Sequence, residues 1–168
     1  MDPNTPAEGA MARYLEGPAL LARAVAGLPD ADLDASPAQG GWTIRQIVHH
    51  VVDGDALWKS GILAALGETT GEFSFKWYWA MSQEEWVECW AYARRSLDAS
   101  LNLLAANRIH VAQLLEAVPD GWDRSVGVHK PDGELWRLTV HALIEMQTDH
   151  LEHHLRRIAS IRREGGLD

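Results

Sequence analysis

The chain has 168 residues, 46% of them hydrophobic, enough to fill the core of one ordinary domain. A formal charge of −9 and a pI near 5.3 exclude a dense cationic surface, so nucleic acid is not an expected partner. No apolar run is long enough for a bilayer and Met1-Asp2-Pro3-Asn4 has neither the basic nor the apolar part of a secretory signal, so a soluble, cytoplasmic protein without a membrane partner is expected.

The first predicted helix covers about residues 6–27, where Met11, Tyr14, Leu15, Leu20, Leu21 and Val25 form an imperfect apolar stripe that Pro18 must bend or interrupt. Leu28-Pro29-Asp30 ends it, and residues 34–41 have the Gly and Pro content of a loop. Thr43 followed three residues later by Gln46 reads as a capping box opening a second helix, which runs through Ile44, Ile47, Val48, Val51, Leu57, Trp58 and Ile62 to Gly67. Residues 67–81 form a long aromatic-rich connection. Ser82 and Glu85 offer a second capping box, and a helical pattern, with room for a break, continues to Val118. Pro119-Asp120-Gly121 stops it, and residues 122–134 suggest an irregular loop or small hairpin. The last helix is expected to begin near residues 135–139 and run to about Arg163, with Arg156, Arg157, Arg162 and Arg163 opposing its dipole and Gly165-Gly166 closing it. No repeat or heptad is visible; the predicted fold is all-α, one four-helix bundle domain.

Trp77, Trp79, Trp86 and Trp90 fall close to Tyr78 and Tyr92, which predicts an aromatic cluster used mainly for packing, with one or two members free to line a pocket. Cys89 is the only cysteine, so there is neither an internal disulfide nor a multi-cysteine zinc site. Between Trp86 and Trp90 it reads as a small buried hydrophobe rather than a nucleophile.

Five of the eight histidines lie in two helical stretches, His49-His50 and His150-Leu151-Glu152-His153-His154. His150 and His154, one turn apart, converge on one point, and His50 falls on the inward face of the second helix with Ile47, Val51 and Gly54. Three neutral imidazoles buried together leave nitrogens unsatisfied unless they share a cation, so His50, His150 and His154 are the candidate metal ligands. Three protein ligands leave a position for water or substrate, the pattern of a catalytic site. His49, on the edge with Gln46 and Asp53, and His153, about 100° round from His154, are expected to face solvent or to support the ligands from behind. Asp53, one turn after His50, could orient a ligand or accept a proton. His141 pairs with Glu145, while His110 and His129 are placed on a helix flank and a loop. Zincin, nucleophile-elbow, phosphate-loop, dinucleotide and di-iron Glu-x-x-His motifs do not occur.

Gly41-Trp42-Thr43 leading to His50, together with His150-x-x-His153-His154, resembles the DinB/YfiT-like superfamily of metal-binding four-helix proteins. Carried over residue by residue, the family's ligands fall on His50, His150 and His154. Where many members have a Gly-Gln pair, this chain has Arg156-Arg157. The resemblance implies a divalent metal, zinc or nickel first and iron or manganese next, and a homodimer. It also implies metal-dependent hydrolysis or transfer involving a low-molecular-weight thiol and a small electrophile. A metal-stabilised binding or stress-response module without turnover is the alternative.

Overall fold

A computed structural model describes residues 6–67 and 71–167; the N-terminal segment and the start of the 67–81 connection therefore lie outside the described residues. Four long helices form the bundle: α1 (Pro6–Val25), α2 (Ile44–Gly67), α5 (Leu97–Ala117) and α6 (Val140–Gly165). Between α2 and α5 lie β1 (Glu72–Ser74), α3 (Lys76–Trp79) and α4 (Gln83–Cys89), and β2 (Ser125–His129) and β3 (Leu135–Thr139) precede α6. Each of α1 and α2 packs on both α5 and α6, so α1 lies diagonal to α2 and α5 diagonal to α6, and α2 sits beside α6. That adjacency brings two sequence segments a hundred residues apart together.

The expected caps form. Thr43 and Gln46 bond reciprocally at the start of α2, Ser82 and Glu85 do so at α4, and left-handed Gly166 closes α6. Two boundaries differ from the sequence reading, and the break it allowed in the third helical region is present. Residues 135–139 are a strand rather than the first turn of the last helix; Thr139 ends the strand and caps α6 by accepting from the Ala142 amide. The third helical region is split, because Ala91 adopts a left-handed backbone, a 3-10 turn follows at Tyr92–Arg94, and Ser96 then caps α5. The 67–81 connection contributes β1, which pairs in parallel with β2, while β2 and β3 form an antiparallel hairpin with Val126 opposite Leu138.

Pro18 does not interrupt α1. A proline has no N–H, so the carbonyl of Tyr14 four residues earlier loses its helical donor. Here that carbonyl accepts from Arg108 Nη1 of α5 at 2.7 Å. Gly17 makes the approach possible, since a Cβ there would stand 2.4 Å from the same nitrogen. Arg108 is fully buried, and its Nε and Nη2 donate to Asp55 Oδ2 of α2 at 3.0 and 2.8 Å. Nη2 also reaches the Gln147 carbonyl of α6, so one guanidinium touches all four bundle helices.

This polar layer separates two apolar clusters. One gathers Leu21, Ile47, Val51, Leu104, Leu151 and Ile158. The other gathers Tyr14, Ile62, Phe75, Val111, Val126 and Ile144, with the hairpin closing its end. No helix of the described residues is long and apolar enough to cross a membrane.

Candidate metal centre and its cavity

On α6, His150 and His154 lie one turn apart as the i, i+4 spacing requires, and α2 delivers His50 against them. His150 Nε2 is 3.0 Å from His50 Nε2 and 3.2 Å from His154 Nε2. Among the described residues these three form the group of potential ligands whose donor atoms all lie within 4.8 Å of one another. Trp42, just ahead of the α2 cap, packs its ring 4.6 Å from that of His50 and stacks nearly parallel to His154 at 6.4 Å, fixing both imidazoles.

Burial, reinforced by His150 and Arg157, pushes His50 down to about 3. Burial with His153 and Arg108 brings His150 to about 4, and burial with the other two site imidazoles, Arg157 and His153 brings His154 to about 2. All three are therefore neutral at pH 7, with lone pairs to give.

Hydrogen bonding alone does not satisfy this cluster. A neutral ring nitrogen offers in its plane one proton or one lone pair, so His150 Nε2 can serve one of its two imidazole contacts and not both. A cation accepting all three lone pairs removes the conflict. Imidazole nitrogens bound at about 2.0–2.1 Å to one tetrahedral ion stand roughly 3.4 Å from each other, close to the spacing observed. The residues present thus fit a divalent metal. His154 Nδ1, the nitrogen facing away, is buried without a protein partner.

A cavity of about 510 Å³ opens beside the three histidines. Trp42, Trp58, Tyr78 and Met146 give it apolar walls, Asp55 and Gln147 a polar floor, and His153 and Arg157 a rim. Gln147 Nε2 donates to the Asp55 carbonyl, while Gln147 Oε1 and Asp55 Oδ1 remain buried acceptors without a partner.

Two expectations about residues near the metal centre require correction. His49 is wholly buried rather than on an edge, because the Tyr92–Arg94 turn and the start of α5 cover that side of α2, a packing no helical wheel contains. Its Nε2 meets the Arg95 carbonyl at 3.2 Å, so that nitrogen donates and Nδ1 accepts from the Ser100 hydroxyl at 2.9 Å. Burial, the largest cause, lowers its pKa. Asp53 is absent from the lining of the histidine cavity; its carboxylate is held by Arg95 Nη1 at 2.9 Å and faces a separate shallow depression with Trp90.

The other histidines do not join the three converging nitrogens. His153 is exposed, with its ring edge on His154. His129 Nε2 pairs with Glu72, His141 lies against Trp122 and 4.0 Å from Glu145, and His110 is exposed on α5. Cys89 is exposed rather than buried, since α4 lies on the surface with Val87 as its buried residue. In the aromatic cluster Tyr78 stacks on Trp86 and bonds Gln83, which joins it in lining the cavity. Sequence reasoning missed Asp55, Arg108 and Gln147. Their signal was a polar residue at a core position on each of three helices.

The family described as the DinB superfamily matches residues 13–158. A Geobacillus thermodenitrificans protein named "Putative metal-dependent hydrolase" is 29% identical over 157 residues, covering 93% of this chain and 84% of its own. A Bacillus mycoides protein, also named a "Putative metal-dependent hydrolase", is 32% identical over 142 residues, covering 84% of this chain and 77% of its own. Among solved structures, YfiT from Bacillus subtilis, titled a probable metal-dependent hydrolase with an unusual four-helix bundle topology, superposes with a TM-score of 0.81. It is 25% identical, and the match covers 100% of this chain and 93% of that one.

Proposed function

Because the chain belongs to the DinB superfamily, we propose that His50, His150 and His154 hold a divalent metal ion and that the adjoining cavity is the active site of a metal-dependent hydrolase. The observation that carries this reading is the position of His150 Nε2, in contact with two other imidazole nitrogens that it cannot both bond. Zinc or nickel suits an all-imidazole donor set best, with iron or manganese next. Held by His50, His150 and His154, such an ion would have room for a further ligand and would make a water or a small thiol acidic enough to act as a nucleophile at neutral pH.

The chain's own residues do the rest. Trp42 holds the His50 and His154 rings in place. Trp58, Tyr78 and Met146 limit water and receive the apolar part of a substrate. Asp55 and Gln147 add polar groups to the lining, tied to one another through Gln147 Nε2 and the Asp55 carbonyl. The cavity favours catalysis over a purely structural ion, since a metal that only fastened helices would be closed in by four protein ligands. With a thiol in place of water, the same three-histidine site would support transferase chemistry on a small electrophile.

Elemental analysis of untagged protein tests the site. The expected result is about one metal per chain in the wild type and loss of it in His50→Ala, His150→Ala and His154→Ala. Stoichiometric metal in all three variants overturns the proposal.

A further inference from the structure

Arg157 follows His154 by one turn of α6, so His150, His154 and Arg157 share one stripe of the helix at i, i+4 and i+7. It lines the same cavity as the three histidines. The other charged group in the lining, Asp55, is already matched by the buried Arg108 guanidinium. Arg157 differs. Among the described residues its partner is the face of Trp42, 5.8 Å from its Cζ, and no carboxylate or carbonyl is bonded to its guanidinium.

A guanidinium over an indole face is attracted to it while its N–H groups stay free, and its planar fork matches a carboxylate with two parallel hydrogen bonds. Behind it the walls are aromatic and aliphatic. We propose that Arg157 is the carboxylate-binding residue of this cavity and that the site takes small organic anions with an apolar or aromatic body. The proposal rests on the preceding reading of the cavity as an active site and adds the substrate class. Geometrically, the anionic end docks on Arg157 at the rim and the apolar body lies along Trp42 and Trp58.

Benzoate, benzamide and acetate serve as probes, with binding measured by calorimetry on zinc-loaded and zinc-free protein and zinc content measured on every sample. Benzoate is expected to bind at least tenfold more tightly than the isosteric neutral benzamide, and at least tenfold more tightly than acetate, which has the charge without the ring. Arg157→Gln should weaken benzoate at least tenfold while leaving benzamide binding and zinc content unchanged, and Arg157→Lys should restore part of the loss. An unchanged benzoate preference in Arg157→Gln, equal affinity for benzoate and benzamide, equal affinity for benzoate and acetate, or no benzoate binding at 10 mM overturns the proposal. A wild type that binds no zinc overturns the metal reading alone. The Arg157 assignment then stands if benzoate binding to the zinc-free protein still drops tenfold in Arg157→Gln, and falls if it does not.

Discussion

His49 and His50 are consecutive residues of α2, yet their surroundings have opposite logic. Around His49 every ring nitrogen has a matched partner, the Ser100 hydroxyl on one side and the Arg95 carbonyl on the other. The same holds for Arg108, whose donors meet the Asp55 carboxylate and two main-chain carbonyls. Around His50 three lone pairs converge and no arrangement of protons satisfies them all. A matched buried network holds helices together, whereas a cluster of like acceptors calls for something from outside. Histidine content did not separate the two regions. The balance of donors and acceptors does.

The comparison breaks most visibly at Arg108. Arg108→Ala leaves the Asp55 carboxylate buried without its cation and the Tyr14 carbonyl, already deprived of a donor by Pro18, without a partner. Loss of one member of a buried pair costs about 3–5 kcal/mol, so chemical unfolding of the metal-free variant should show a fall of that size. A change below about 1 kcal/mol would mean that the matched network contributes little.

At the converging histidines the expected pattern is the reverse. In metal-free protein His154→Ala should cost far less than Arg108→Ala, because it relieves a cluster that cannot satisfy itself. Zinc at a thousandfold excess over its Kd should then add about 4 kcal/mol to the wild type and little to His154→Ala. Equal stabilisation of both by zinc would show that the ion binds elsewhere.

Much of this was legible in the sequence and some was not, for physical reasons. Helical periodicity and the capping boxes at Thr43 and Ser82 located the helix starts, and the i, i+4 spacing singled out His150 and His154, because these features depend on residues within one or two turns. The inward phase of His50 followed from its apolar neighbours on α2. The burial of His49 did not, since it is imposed by a turn more than forty residues later. The Arg108 layer was invisible for a related reason: it joins residues on four helices, and its clearest local sign, Gly17-Pro18 inside α1, reads as a defect until Arg108 is seen filling the space. Residues 135–139 likewise become a strand through pairing with β2.

A smaller effect sharpens the matched side. His49→Gln keeps one donor and one acceptor but no longer titrates, and should cost about 1–2 kcal/mol at pH 7.5. Burial lowers the pKa of His49 in the fold, so below its unfolded value near 6.5 the unfolded chain binds the extra proton first. Its contribution is therefore intact above that pH and is lost as the pH falls. The stability gap between wild type and His49→Gln should narrow between pH 7 and pH 5, measured under identical metal-free conditions. A constant gap would show that His49 acts through packing alone.

The smallest expected effect asks whether the two regions are mechanically separate. Thr139 ends β3 opposite Ser125 and caps α6 through the Ala142 amide, about three turns before His150. Thr139→Ala removes that cap and should lower stability by about 1 kcal/mol, read as a lower thermal midpoint. It touches neither the histidines nor the Arg108 layer, and the Asp55, Gln147 and Trp42 contacts that fix the cavity lie beyond the first turn of α6. Zinc content and affinity should therefore match the wild type. If affinity falls with the melting temperature, the order of the metal cluster depends on the whole length of α6 and the separation drawn between the two regions fails.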